Sequence, residues 1–483
     1  MNNTYKISSN LNPNKVFILH KYEIEKRFDP FYYIPNLVEL ERKVLAKQPK
    51  KLRDYVKGIA SGATPKTTDS EKYYTVKETG IPFLRVQNLS QTGILEFEDC
   101  KYINEETHTG MLKRSQVSEG DLLVKITGVG RMAVASIVPE GFEGNINQHV
   151  CVIKTGDREI SKTLAAFLNS DIGEKLASRR STGGTRPALD YPALLSIPII
   201  EDKRILEITQ KVVEQKRQNE TEAEKLLTSI DDYLLKELGI ALPKPPNYSL
   251  KDRLFIKPIT KLSSKRLDPF YYVNYFNEVE NSIRKGKYPF GPISSIALNI
   301  DTGRTPAKNA YASEEVENKI PIIKAGSYTD DFIDFSKCDY TFLDFKGNEV
   351  FICDIFILGA AHQANYVGKK VYYLNKKPVS RTFFVGELVR ISTNKSMFDS
   401  FLLFTILKTK LYSLLLNREK RGQTSHLYPD DVKHICIPIP PQDKQKEIAH
   451  HIIGIRRQSQ QLKDKTKEAL EKAHKEIEQI LIG

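Results

Sequence analysis

The strongest constraint on the fold of this chain is an internal repeat of half its length. Residues 26–33, KRFDPFYY, return as residues 265–272, KRLDPFYY, at an offset of 239. Tyr191-Pro192 and Ile197-Pro198 return in the same order as Tyr428-Pro429 and Ile437-Pro438, at nearly the same offset. The other matching positions are Gly62, Thr64 and Pro65 in the first half and Gly303, Thr305 and Pro306 in the second. A period this long predicts two complete domains related by duplication, since solenoid repeats span only 20 to 50 residues.

Each half changes character along its length. Short apolar runs broken by turn residues, such as 121–127 and 133–138, predict strands. The end of each half instead shows apolar or small residues at helical spacing. In the second half an alternation of four and three gives a coiled-coil seam. Its positions are Ile448, Ile452, Ile455, Ser459, Leu462, Thr466, Ala469 and Ala473. The first half has the weaker seam Ile205, Ile208, Val212, Ala223, Leu226, Ile230 and Leu234, interrupted by Gln215 and Asn219.

We therefore predict an α+β chain with two tandem mixed α/β domains, each followed by a long helix, the two helices pairing as an antiparallel coiled coil. The alternative, in which each helix folds back on its own domain, stays open. The predicted parts are a domain over 1–199, a helix over 200–240, a proline-containing linker over 241–252, a domain over 253–439 and a helix over 440–483.

Three motifs resemble parts of enzymes. Asp29-Pro30-Phe31-Tyr32 is similar to the base-holding motif of amino-methyltransferases, but no cofactor-binding glycine loop flanks either copy. We interpret it as structural. The glycines at 128 and 130 fit a relaxed dinucleotide fingerprint, yet the following strand pattern favours a hairpin loop. The contiguous acids in residues 429–433, PDDVK, indicate a helix start, because nuclease acids come from separate strands.

The whole chain resembles the specificity subunits of type I restriction-modification enzymes. The resemblance rests on the repeated opening motif, the element GDLLV at residue 120, the loop STGGTRP at 181–187 and the Ile197-Pro198 step into the helix. The second copy departs from this pattern, with CDIF at 353–356 and RGQTS at 421–425, which puts its contacts in doubt but not its fold.

In that family each recognition domain reads one part of a split DNA site, while the helices set the gap and bind the modification subunits. The resemblance thus implies a non-catalytic chain without cofactors of its own. S-adenosylmethionine, ATP and Mg²⁺ are expected on partner subunits. The implied partners are double-stranded DNA, methyltransferase subunits and, in complexes that cleave DNA, restriction subunits.

Loops rich in forked donors and acceptors are the candidate DNA contacts, because Arg suits guanine and Asn or Gln suits adenine. In the first half these are Arg85, Gln87, Asn88, Arg131, Asn147, Gln148, His149, Arg179, Arg180, Thr182, Thr185 and Arg186. In the second half they are Lys324, Ser327, His362, Gln363, Ser380, Arg381, Lys420, Arg421, Gln423 and Thr424. The difference between the two sets predicts two different half-sites.

The composition agrees with a polyanionic partner, since the formal charge is +13, although a merely soluble basic protein would look the same. The five cysteines show no zinc-ligand spacing and are expected to be reduced, buried thiols. The start of the chain has no signal-peptide pattern and the run 401–407 is too short to span a bilayer. We expect a cytoplasmic protein without membrane contact.

Two other functions remain open at this point. The chain could be a solitary methyltransferase or nuclease that uses the aspartates described above. It could also be a coiled-coil scaffold that binds protein and not DNA, although that function would not need basic, polar loops at matching places in both halves.

Overall fold

A computed structural model describes residues 8, 10–25, 27–246, 254–262, 266–361, 364–422 and 425–483. They form two compact units. Unit 1 comprises Met1–Thr221 and Leu462–Gly483, and unit 2 comprises Glu222–Gln461. The long helices Lys203–Leu238 and Gln442–Ile482 each contribute residues to both units. The predicted linker, 241–252, is described only as far as residue 246.

Unit 1 is a mixed α/β unit. Its strands are β1 Lys50–Lys51, β2 Gly58–Ser61, β3 Tyr74–Thr75, β4 Ile81–Leu84, β5 Lys101–Ile103, β6 Gln116–Ser118, β7 Leu122–Lys125, β8 Ala135–Ile137, β9 Glu143–Ile146, β10 Val150–Lys154 and β11 Pro198–Ile199. Its helices are α1 Pro35–Leu45, α2 Ser70–Tyr73, α3 Glu105–Thr109, α4 Arg158–Asn169, α5 Asp171–Arg180, α6 Tyr191–Leu195 and the start of α7, Lys203–Leu238.

Two sheets organise unit 1, one with the order β2-β10-β7-β8 and one with the order β3-β5-β4-β9-β6. A short third sheet pairs β1 with β11. All strand pairs are antiparallel except β4 with β9. As predicted, β7 and β8 are strands of one antiparallel pair, so the glycines at 128 and 130 lie in the loop between them.

Unit 2 is also mixed α/β. Its strands are β12 Phe290–Pro292, β13 Ala297–Thr302, β14 Tyr311–Ala312, β15 Ile320–Ile323, β16 Tyr328–Thr329, β17 Phe332–Ile333, β18 Asp339–Thr341, β19 Ile355–Leu358, β20 Val371–Tyr373, β21 Phe383–Phe384, β22 Leu388–Thr393 and β23 Cys436–Pro438. Its helices are α8 Asn274–Arg284, α9 Ser400–Lys408, α10 Lys410–Arg418, α11 Pro429–Lys433 and part of α12, Gln442–Ile482.

The strand order of unit 2 repeats that of unit 1. Its larger sheet has the order β13-β22-β19-β20 and is extended by the β17-β16 hairpin, while its second sheet has the order β14-β18-β15-β21. The pair β15 and β21 is parallel, like β4 and β9. The duplication seen in the sequence is therefore a duplication of topology.

Helix caps repeat as well, which explains why the same short helices form in both units. Asp157 caps α4 and Asp399 caps α9, each accepting hydrogen bonds from backbone N–H groups of the first turn. Ser170 and Thr409 cap α5 and α10 in the same way. These side chains satisfy donors that would otherwise lack partners.

The long helices contact each other within unit 1. Ile205 of α7 lies in one buried cluster with Ile477 and Leu481 of α12. Further along, the Asn219 Nδ2 group donates to Thr466 Oγ1 at 3.0 Å. The polar residue that interrupts the predicted seam thus has a polar partner.

The same two helices contact each other within unit 2. The rings of Tyr233 and His451 lie 4.2 Å apart, and Lys444 Nζ lies 2.8 Å from Glu237 Oε2. Ile452 is fully buried in the main cluster of this unit, whereas its neighbour Ile453 is 43% exposed. One face of α12 therefore packs and the adjacent face is open to solvent.

In each unit one glycine lies where the two sheets approach each other closely. A methyl group at Gly62 would lie 1.7 Å from the carbonyl oxygen of Ile146, and one at Gly303 would lie 2.0 Å from that of Phe384. No other residue fits either position, which accounts for these glycines in the repeat.

We predict that Gly62→Ala and Gly303→Ala each lower the free energy of unfolding by about 3 kcal/mol or more, because the backbone must move apart. Chemical denaturation of the full chain measures this. Gly184→Ala and Gly326→Ala are the controls, since a methyl group there meets no atom within 4 Å. Equal stability of the test and control variants would contradict the prediction.

Candidate nucleic-acid interface

The repeated opening motif anchors a hairpin loop in unit 1. Arg27 forms an ion pair with Asp29 at 2.7 Å. The same guanidinium donates to the carbonyl oxygens of Arg180 and Ser181, both at 2.8 Å. These two carbonyls stand where α5 ends and the loop begins. The motif is therefore a structural clamp, in agreement with its interpretation from the sequence.

Unit 2 has the same clamp. Arg266 pairs with Asp268 at 2.9 Å and donates to the carbonyl oxygens of Glu419 and Lys420, both at 2.9 Å. All of these positions follow those of unit 1 by 239 residues. In each unit a tyrosine ring of the motif also lies against two guanidinium groups. These are Tyr32 with Arg27 and Arg179, and Tyr271 with Arg266 and Arg418.

The anchored segment is a hairpin closed by a pair of backbone hydrogen bonds. In unit 1 Thr182 and Ala188 exchange N–H···O bonds of 2.8 Å, which leaves 183–187 as the tip. In unit 2 Arg421 and His426 exchange bonds of 2.9 Å. The hairpins also join the sheets, since Thr127 bridges Ala188 and Ala360 bridges His426. Each hairpin thus stands just after the end of one strand, β7 in unit 1 and β19 in unit 2.

The hairpin of unit 1 brings several predicted residues together at the surface. Thr182, Thr185 and Arg186 are exposed, and Gln148 is exposed on the turn before β10. His149, next to it, is half-buried, and burial together with the positive charge of Arg186 lowers its pKa. Arg186 and His149 are therefore close, and among the described residues Arg186 has no ion pair.

Other predicted residues of unit 1 have side chains engaged inside the domain. Arg180 is buried and ion-paired with Glu41, and burial lowers its pKa. Arg179 pairs with the same carboxylate. Arg131 pairs with Asp171 at 2.7 Å and holds the start of α5. These arginines were predicted as DNA contacts because of their residue type, but their guanidinium groups have structural partners.

The turn after β4 also has a predicted residue whose side chain is engaged inside the domain, and the equivalent turn after β15 has another. Asn88 is buried, accepts from the N–H of Arg85 and donates to the carbonyl of Glu96. In unit 2 Ser327 is fully buried, accepts from the N–H of Lys324 and donates to the carbonyl of Lys337. Both side chains close a turn. They face the interior and not a ligand.

The charged residues on these turns also have acidic partners. Arg85 donates to the Asp99 carbonyl at 2.6 Å and lies 3.5 Å from its carboxylate. Gln87 accepts from the Arg85 guanidinium once its amide is oriented to suit the contact. Lys324 contacts both carboxylate oxygens of Asp339 at 2.6 Å. Their charges are therefore partly neutralised.

Four more predicted residues of unit 2 are described, and one of them, Ser380, is exposed. Arg381 is exposed and lies 3.4 Å from Glu349. Lys420 donates to the carbonyl of Ala364, and burial lowers its pKa. Arg421 pairs with Asp431 at 3.1 Å. His362, Gln363, Gln423 and Thr424 lie outside the described residues, as do Lys26 and Lys265 of the repeated motif.

Comparison with protein families bears on unit 2. Residues 293–472 match the family model described as Type I restriction modification DNA specificity domain. Residues 293–472 therefore carry a type I DNA specificity domain. The resemblance stated from the sequence is thereby confirmed. No curated protein matches the sequence.

Several solved structures are similar to the chain. One, from a study of complex assembly and conformational transition of the type I R-M system, is 16% identical, covers 89% of this chain and 95% of its own, and has a TM-score of 0.46. The HsdS subunit of Thermoanaerobacter tengcongensis is 15% identical, covers 89% and 94%, and has a TM-score of 0.32. The type I S subunit of M. genitalium is 12% identical, covers 90% and 94%, and has a TM-score of 0.38.

The specificity domain of unit 2 contains a cleft of about 720 Å³ beside its hairpin. Its lining includes Tyr311, Lys324, Glu387 and Ser425. The loop pattern of forked donors and acceptors includes Lys324 but not Tyr311 or Glu387, because neither a tyrosine nor a carboxylate belongs to that pattern. The position of Glu387, 238 residues after His149, is the signal that could have identified it.

Other predictions concern the cysteines and possible metal or membrane contacts. All five cysteines are free thiols; Cys151, Cys338 and Cys436 are buried, whereas Cys100 and Cys353 are only half-buried, so the expectation of uniform burial is wrong. In the part of the chain that is described, no cluster of three His, Cys, Asp or Glu is placed to hold a metal ion. No helix there has the length and apolarity needed to cross a membrane.

The electrostatic effect of Arg186 on His149 can be tested by titration. We predict that Arg186→Gln raises the pKa of His149, because it removes the nearby positive charge. In wild type the pKa of His149 is lower in the folded state than in the unfolded state. The contribution of His149 to stability is therefore complete at pH values above its unfolded-state pKa and is lost as the pH falls through its folded-state pKa. NMR titration of the His149 ring measures the pKa. Arg158→Gln, the same change on an arginine paired with Glu119, is the control, and an unchanged His149 pKa in Arg186→Gln would contradict the proposed proximity of the two side chains.

Proposed function

We propose that this chain is the DNA-recognition subunit of a type I restriction-modification complex and that each unit reads one part of a split double-stranded site. The observation that carries the proposal is the specificity-domain match in unit 2. Repetition of the strand order and of the arginine clamp in unit 1 supports a second domain of the same kind.

The proposed reading surface in unit 1 is the hairpin tip together with the turn before β10. Arg186, Thr185 and Gln148 are exposed there, and their forked or two-sided hydrogen-bonding groups suit base edges. The buried or paired arginines at 131, 179 and 180 support this surface from behind. In unit 2 the equivalent surface is formed by the hairpin residues Arg421 and His426 and by the neighbouring turns.

The two surfaces differ in their chemistry, which supports two different half-sites. The tip of unit 1 has an arginine without an acidic partner in the described residues, while Arg421 and Lys324 of unit 2 are held by carboxylates. The net charge of +13 supports additional contacts with phosphates.

We further propose that the long helices pair as an antiparallel coiled coil and dock the modification subunits. Each unit supports this proposal by itself. In unit 1 the start of α7 packs with the end of α12, since Ile205 and Ile477 lie in one buried cluster. In unit 2 the end of α7 packs with the start of α12, since Glu237 pairs with Lys444. The methyl transfer, and any cleavage, would belong to partner subunits that hold S-adenosylmethionine, ATP and Mg²⁺. This chain would supply no catalytic group.

Long-read methylation mapping of the source cells, with and without the chain, tests the proposed function. We expect one bipartite methylated motif to disappear with the chain and to return on complementation, because recognition directs the modification subunits. A methylome that does not change would overturn the proposal. It would favour a scaffold without DNA binding.

The helix proposal is tested by a pair of neighbouring substitutions. Ile452→Asp places a carboxylate in a fully buried position and is expected to cost about 3–5 kcal/mol, since the charge has no partner there. Methylation in complemented cells should fall with it. Ile453→Asp is the matched control on the exposed face and should change stability by less than about 0.5 kcal/mol. Full methylation with Ile452→Asp would contradict the role of the helices.

A further inference from the structure

We propose that Glu387 and His149 are equivalent base-reading positions in the two units, and that Glu387 makes unit 2 select cytosine through its exocyclic amino group. The inference rests on the proposed function and adds the chemistry of one base in the second half-site. It is carried by the equivalence of the two backbones, by the orientation of the Glu387 carboxylate and by the cleft that this carboxylate lines.

The backbones at the two positions make the same hydrogen bonds. The His149 carbonyl accepts from the N–H of Ile126 at 2.9 Å, and the Glu387 carbonyl accepts from the N–H of Gly359 at 2.8 Å. Each residue immediately precedes a central strand, β10 or β22. Each also lies three residues after a residue whose carbonyl oxygen packs against the repeated glycine. That residue is Ile146, against Gly62, in unit 1 and Phe384, against Gly303, in unit 2. The two side chains therefore leave equivalent points of the framework.

The carboxylate of Glu387 is held in one orientation. Thr305 Oγ1 donates to Glu387 Oε2 at 2.8 Å and itself accepts from the N–H of Gly386 at 3.0 Å. Among the described residues the other oxygen, Oε1, accepts no hydrogen bond. Glu387 Oε1 is therefore a positioned acceptor without a hydrogen-bond donor among the described residues. Such an acceptor is suited to base recognition, because little side-chain entropy is lost when a base binds.

The surroundings leave this acceptor accessible. Glu387 lines the 720 Å³ cleft, whose lining also includes the small residues Ala360 and Ala361 next to the hairpin. Tyr311 lines the same cleft, and burial together with the charges of Asp339 and Glu387 raises its pKa, so its ring lies near the carboxylate. Lys324 in this cleft is held by Asp339, which leaves Glu387 as an acceptor for an incoming ligand.

The chemistry of base edges then selects the ligand. In the major groove guanine presents two acceptors, and thymine presents an acceptor and a methyl group. Neither base offers a donor there, so neither can form a hydrogen bond with a carboxylate. Cytosine presents its amino group, whereas adenine presents an amino group beside the acceptor N7. A carboxylate therefore favours cytosine. At the equivalent point unit 1 has His149, whose lowered pKa favours the neutral ring with one donor and one acceptor.

Selection from random duplex DNA by the full chain, followed by sequencing, tests the inference. The wild-type chain should select a bipartite site with a cytosine at one position of one half. Glu387→Gln should reduce the preference for cytosine there by roughly 10-fold or more, because an amide also donates. The first half-site should not change. Thr305→Val, which keeps the shape but not the hydroxyl group, should weaken the same preference to a smaller extent.

Glu278→Gln is the matched control, since it removes the same charge from an exposed position of α8. Removal of a carboxylate generally strengthens binding to phosphates, so the control separates that effect from base reading. Thermal unfolding confirms that each variant is folded before the selection is compared.

The outcomes separate the inference from the function on which it rests. If the wild-type chain selects no bipartite site, the proposed function fails and the inference with it. If the wild type selects a site but folded Glu387→Gln retains the same preference at every position, the inference alone is overturned. Loss of preference in both half-sites by the folded variant would also overturn it, because a single reading position affects a single base.

Discussion

The arginine that opens each copy of the repeat is the contact on which the proposed DNA-reading surface depends. Arg27 and Arg266 each join the start of a unit to a hairpin more than 150 residues later in the chain. Each hairpin then bridges the chain just after β7 or β19, which brings the turn before the neighbouring strand, β10 or β22, to the same place. Without this clamp the end of the preceding helix would no longer be tied to the start of the repeat, and the hairpin would keep only its own closing hydrogen bonds and its bridge to the neighbouring strand end.

The buried charges around the clamp differ between the two units although the backbone is the same. In unit 1 one carboxylate, Glu41, serves two arginines, Arg179 and Arg180. In unit 2 one arginine, Arg418, serves the two carboxylates of Glu280 and Glu419. Burial raises the pKa of Glu419, and the neighbouring Arg418 opposes that shift. Since an unpaired buried charge costs several kcal/mol, both arrangements keep every buried charge within reach of an opposite one.

Much of the fold could be predicted from the sequence because it depends on periodicity. The repeat, the β7 and β8 strands, the hairpin between them and the two long helices follow from local patterns. The directions of individual side chains do not. Arg180 was predicted to bind DNA, but its partner Glu41 is 139 residues away in the sequence, so no local pattern reveals that it is buried. Asn88 and Ser327 likewise have the residue types of a binding loop while they close turns. Glu387 was missed for the opposite reason, since an acidic residue was not expected at a DNA surface.

The clamp has a consequence for how such a chain can change over evolutionary time. Arg27 and Arg266 bind backbone carbonyl groups, which every amino acid possesses, and the hairpin is closed by backbone groups as well. The identities of the side chains at the hairpin tip therefore contribute little to folding. Substitutions at the tip are nearly neutral for stability while they change what the tip can bind, so new DNA preferences can arise in one unit without a compensating change in the framework.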